Sequence, residues 1–131
     1  MAGEQHPVEI IMARGLMSNL TTPAFLVDGD GVLVFYNEAA GELLGLSFEE
    51  AGRMPAEVWG GRFDPTRPDG GPLAFEELPL AITLREARPA YAPMRIRSAD
   101  GKMRKIEVTA FPVVGRAGQS GAMAIFWGEP D

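Results

Sequence analysis

Carboxylates are the most numerous groups in this chain that could do chemistry, and several are closely spaced: Asp28 and Asp30, Glu49 and Glu50, Glu76 and Glu77. Such a pair can run acid–base chemistry or hold a cation. The glycines at 29 and 31 instead make 28–31 a tight turn, in which Asp side chains bond local backbone amides. Two carboxylates also fall short of the roughly six to eight oxygens that calcium takes. Glu49-Glu50 and Glu76-Glu77 read as charges at helix starts. The single histidine, His6, lies near the N-terminus, so no Ser or Thr has the neighbouring base that a nucleophilic site needs. The absence of Cys excludes disulfides, thiolate metal sites, cysteine nucleophiles and cysteinyl cofactor adducts. The glycine-rich "GGRFDPTRPDGG" at 60–71 lacks the Gly-Lys-Ser/Thr ending of a phosphate cradle. No catalytic constellation is present, and a small enzyme is the weakest of the functional readings.

The charge balance narrows the field further. The 131 residues carry a net charge of −6, with 6 basic and 14 acidic side chains in 1–90 against 6 basic and 4 acidic in 91–131. An acidic chain with no extended basic stripe is a poor nucleic-acid binder. Its one cluster, Arg95, Arg97, Lys102, Arg104 and Lys105, reads as the wet face of two strands. No apolar run approaches the roughly 18 residues of a bilayer span, and no signal peptide is recognisable, so a cytoplasmic protein without membrane contact is expected. The length fits one domain with one modest core.

These side chains are positioned by a readable order of elements. Residues 6–20 form an amphipathic helix, with Ile10, Ala13, Met17 and Leu20 on one stripe and Leu16 beside it. The stripe must pack on something, either the chain's own core or a second copy. Strands follow at 24–27 and 32–36 around the Asp-Gly-Asp-Gly turn. Asn37 caps a helix at 38–44 that Gly45 closes, and Ser47 to Glu50 has capping-box spacing. Residues 53–74 are expected to be loop, with Trp59 and Phe63 either anchored on the core or bordering a pocket. A helix at 79–88 starts on Pro79 and turns Leu80, Ile82, Leu84 and Ala87 inward.

Three strands complete the chain. "YAPMRIRS" (91–98) alternates apolar and basic residues, and Pro93 places it at a sheet edge. "MRKIEVTAFPVV" (103–114) and, after a glycine-rich loop at 115–121, "AMAIFW" (122–127) follow. In the last, Met123, Ile125 and Trp127 share one face and Ala122, Ala124 and Phe126 the other. Met94, Met103 and Met123 read as strand packing. Five strands with helices collected on one face give an α+β fold.

This order resembles a PAS domain over about residues 20–128. The resemblance rests on "FLVDGDGVLVFYNEAAGELLG" (25–45), on "EELPLAITLREARPA" (76–90), and on the Asp100-Gly101 hairpin with "KMRKIEVTAFPVV" and "GAMAIFW" after it. It implies an antiparallel sheet of order 2-1-5-4-3, and it sets the domain proper, 21–131, apart from the N-terminal amphipathic helix in 1–20. It also implies a sensing and dimerising module in signal transduction, with any small ligand bound between helices and sheet. The helix at 79–88 has no His for a haem iron and the chain has no Cys for a flavin adduct, so both cofactors are unexpected, while a non-covalent small ligand is open. The expected pocket wall is Trp59, Phe63, Ile82, Met94, Ile106, Met123 and Trp127, and the expected homodimer seam is Ile10, Met17 and Leu20.

A ligand-free dimerisation scaffold is the second reading. The chain ends at Trp127-Gly128-Glu129-Pro130-Asp131, directly after the last strand. That is expected either of a stand-alone module acting on a separate signalling protein such as a kinase, or of an excised input domain.

Overall fold

A computed structural model describes residues 7–128; His6 and the tail from Glu129 lie outside them. Five antiparallel strands form one sheet: β1 (Ala24–Asp28), β2 (Leu33–Tyr36), β3 (Ala90–Arg97), β4 (Met103–Gly115) and β5 (Gly118–Gly128). Their spatial order is β2-β1-β5-β4-β3, as expected, with β3 and its Pro93 at an edge. Helix α1 (Val8–Met17) precedes the sheet. Helices α2 (Glu38–Leu44), α3 (Phe48–Ala51), α4 (Ala56–Arg62) and α5 (Pro79–Glu86) lie between β2 and β3, with one 3-10 turn at Phe75–Glu77.

The local signals act as their chemistry predicts. Asp28 Oδ1 accepts from the amides of Asp30 at 2.9 Å and Val32 at 3.1 Å, so its carboxylate is spent on the turn. Asn37 caps α2, Gly45 closes it at φ 75°, and Ser47 and Glu50 form the reciprocal box that starts α3. Two expectations need correction. Residues 53–74 are not all loop: α4 forms there although Gly60 and Gly61 have poor helix propensity, because Trp59 and Phe63, four residues apart, are both buried in the core. The glycine-rich segment 115–121 is not a loop either. Gly115 pairs with Gly118, leaving a two-residue turn, and β5 runs through Gly121.

Each sheet face carries its own core. Val27, Leu33, Tyr36, Ile106 and Phe126 meet residues of α2, α4 and α5 on one face. Leu26, Val34 and Met123 meet Ile10, Ala13 and Met17 of α1 on the other. Helix α1 is too short to persist alone in water, so its stability comes from that docking. Burying Met17 alone contributes about 2 kcal/mol on area grounds. The Arg14 guanidinium also sits over the Phe35 ring, 4.6 Å from its centre.

Four hydrogen bonds of the fully buried Asn37 join these layers. Its Oδ1 accepts from the amides of Ala24 and Ala40, and its Nδ2 donates to the carbonyls of Met17 and Thr22. Beside it, the buried Tyr36 hydroxyl donates to Leu46 O at 2.5 Å. Burial pushes the phenol up to about 12, against a smaller downward pull from Arg62 and an upward push from Glu50. A phenol raised in the fold contributes stability in full below its unfolded value of about 10, and that contribution is lost as pH climbs through 12. The 295 nm titration of Tyr36→Phe should therefore lack a phenolate phase near pH 12. Ionisation of Tyr36 at pH 10 in intact protein would refute this.

Candidate functional site

Between the sheet and α4–α5 lies a hollow of about 80 Å³. Its floor is the cup face of β3, β4 and β5, where Met94, Ile96, Ile106, Val108, Ala124 and Phe126 line it. Its walls are Trp59 and Phe63 around α4, and Pro79 and Leu80 at the start of α5, with Phe25 and Leu44 at the far side. The two central residues of β5 on this face, Ala122 and Ala124, are small, and Ala124 leaves the floor low.

Hydrogen bonds fix the walls. Trp59 Nε1 donates to Gly31 O at 2.8 Å, which ties α4 to the β1–β2 turn, and its ring lies against Phe75. The lip is the segment after α4, where Pro65 lines the hollow. Thr66 and Arg95 exchange two backbone bonds of 2.9 Å, and the Arg97 amide donates to Phe63 O, so the lip is stitched to β3. Glu77 accepts from the Ala74 amide and from Arg67 Nη2, and these bonds hold its carboxyl below the usual range, the amide contributing more.

Of the expected wall residues, Trp59, Phe63, Met94 and Ile106 come together here. The other three do not. Met123 faces the opposite side of the sheet and packs beneath α1. Trp127 is on that same side and 42% exposed. Ile82 is half-buried and off the lining, because α5 turns Pro79, Leu80, Ala81 and Thr83 inward, leaving Leu84 partly buried and Ala87 exposed. Met103, expected in strand packing, is exposed at the β4 end. Sequence reasoning missed Ala124 and Phe126. Their alternation was legible, but Met123 and Trp127 offered an equally apolar set.

The expected seam fares similarly. Ile10 and Met17 are buried against the chain's own sheet and Leu20 is half-buried. The solvent side of α1 instead carries Val8, Ile11, Met12 and Leu16, each 59% to 68% exposed. They flank Gly15, above which there is open space.

Two adjacent residues of β5 join α5 on one face of the sheet to α1 on the other. Gln119 Nε2 donates to Thr83 O of α5 at 3.1 Å. The next side chain, Ser120, points the other way and donates its hydroxyl to the Glu9 carboxylate of α1. A second groove, about 630 Å³, runs between α1 and α2–α3 and mixes apolar side chains such as Phe35 and Phe48 with Glu38, Glu42, Glu49 and Glu50. Among the described residues no group of three or more His, Cys, Asp or Glu side chains could hold a metal ion. No described helix is long and apolar enough to cross a membrane.

Residues 12–59 match the family model of the PAS fold. No curated protein sequence matches the chain. Solved structures do. The PAS domain of BvgS from Bordetella pertussis is 11% identical with a TM-score of 0.63, over 94% of this chain and 87% of that one. The LOV protein of Rhodobacter sphaeroides is 15% identical with a TM-score of 0.70, over 95% and 69%. The PAS domain of nitrogen regulation protein NR(II) from Vibrio parahaemolyticus is 14% identical with a TM-score of 0.60, over 90% and 98%. Identities this low speak to the fold.

Proposed function

We propose that this chain, whose fold is that of PAS domains, is a sensory module in signal transduction, coupling occupancy of its cup to the arrangement of α1 and through it to a second copy of the chain. One observation carries the reading: consecutive residues of β5 grip α5 on the cup side and α1 on the other. An occupant wedged between α5 and the sheet strains the Gln119–Thr83 bond, and the adjoining Ser120 transmits that strain to Glu9. The equilibrium moves by the occupant's difference in affinity for the two arrangements of α1. The exposed stripe Val8, Ile11, Met12 and Leu16 is the seam for the second copy, Gly15 letting two helices approach closely. A separate or fused output protein in the cytoplasm, such as a kinase, then reads the dimer.

Hydrogen exchange tests the coupling. Ser120→Ala removes one bond to a charged partner, worth about 1.5 kcal/mol, and should speed exchange of the α1 amides about tenfold while leaving β4 unchanged. Unchanged α1 exchange would sink the coupling. Light scattering tests the seam, since Met12→Glu should halve the mass. A dimeric Met12→Glu protein, or a monomeric parent, would remove it.

A ligand-free scaffold is the second reading, favoured by the small size of the hollow. It predicts the same mass change and no effect of any occupant on α1.

A further inference from the structure

We infer that the occupant is a small, uncharged, apolar molecule, no larger than about one aromatic ring, held without a cofactor. This deepens the sensory reading and rests on it only in taking the cup as the sensing site.

The lining carries the argument. Every side chain around the hollow is hydrocarbon or thioether apart from one indole N–H, and that group is already committed to Gly31 O. No hydroxyl, amide, carboxylate or cation projects into the space. A ligand bearing a charge or several hydrogen-bonding groups would leave its water shell and find nothing in exchange. An uncharged apolar ligand loses nothing by that transfer and gains contact with the walls.

Size points the same way. An apolar cavity of roughly 150 Å³ stays dry and accepts benzene or xenon; at about 80 Å³ this one is half that, so a single ring is the ceiling and enters only as the lip gives way. A haem or a flavin is far larger and brings ionised groups that the lining cannot meet. Shape favours a flat ring. Phe25 and Phe126 meet edge to face with centroids 5.0 Å apart, presenting ring edges and faces to a guest. The Met94 thioether adds a polarisable contact suited to an aromatic ring. Ala124 at the floor leaves the space that a leucine would fill.

Access lies under the lip. The Arg67–Glu77 pair that closes it is half-exposed on both sides, and an ion pair in water holds weakly. Lifting the lip therefore costs chiefly the backbone bonds of Thr66 with Arg95 and of Arg97 with Phe63, and it leaves the β3–β4 ladder behind it paired.

The test uses the whole chain with benzene as probe and benzoate, the same ring with a charge, as control. Near-saturating benzene should raise Tm by about 3–5 °C and change the emission of the protein's tryptophans, one of which, Trp59, forms the wall. Benzoate at the same concentration should do neither. Ala124→Leu should abolish the benzene response by occupying the floor. If that variant does not fold, Ala124→Val should weaken the response at least fivefold. No response to benzene in the parent, an equal response to benzoate, or an undiminished response in both variants overturns the inference. Hydrogen exchange of α1 in the same samples separates the two claims. Benzene binding without any change at α1 keeps the ligand class and ends the coupling, whereas an α1 response to a charged ligand with benzene silent does the reverse.

Discussion

Asn37→Ala is expected to lower stability by about 4 kcal/mol, the largest effect of any single polar substitution among the described residues. The residue is buried, and its amide satisfies four backbone groups: the Ala24 and Ala40 amides and the Met17 and Thr22 carbonyls. Each buried group left without a partner costs about 1–3 kcal/mol, less where water follows the side chain out. Losing a simple helix cap costs about 1 kcal/mol. The excess measures what the other three bonds add, and against a total of about 5–15 kcal/mol it brings the chain close to unfolding. Urea titration reads the value directly, and a loss no larger than that of a simple cap would show that tying α1 and β1 to this amide adds nothing. Because Met17 O is one of the acceptors, the variant should also lose α1 protection before the sheet melts.

Gly121→Ala is the second large effect, at about 3 kcal/mol from overpacking. A Cβ there would fall inside contact distance of the Val27 carbonyl oxygen, 3.0 Å from Ile10 Cδ1 and 3.1 Å from Asp28 Cα. Two of these three atoms are backbone of the paired strand β1, so relief means prising β1 from β5 or lifting α1. Gly115 makes the contrast: its nearest obstruction is the Glu9 carboxylate, the free end of a side chain that can swing aside. Urea denaturation should show the loss at Gly121, and a change below about 0.5 kcal/mol, the usual range for a surface site, would mean that the β1–β5 pair is loose enough to admit a methyl group.

The order of elements was legible because each boundary carries its own chemistry. Asn37, Gly45 and Ser47 mark helix ends by local bonds, and Asp28 with Gly31 turns one strand into the next. What could not be read was non-local. Helix α4 is held by where Trp59 and Phe63 are buried, of which its propensity, lowered by Gly60 and Gly61, gives no hint until the core is assembled. The facing of β5 was hidden for a related reason. α1 covers the back of the sheet, so Met123 is as apolar as Ala124 and alternation does not choose between them. The stripe Ile10, Ala13, Met17 was likewise visible, but an apolar stripe fits its own sheet and a second copy equally well, and here it goes to its own sheet.

Two isolated bridges, Leu33 with Met54 and Thr66 with Arg95, have a consequence for how copies of this chain can associate. They occupy main-chain donors and acceptors on the outer strands at either flank, and Pro93 removes one more donor from β3. Neither flank therefore presents an unbroken row of main-chain partners to a neighbour's strand, and edge-to-edge growth into fibrils is disfavoured. Contact between copies is thereby turned away from the sheet edges and toward a face such as the solvent side of α1, the one the proposed pairing uses.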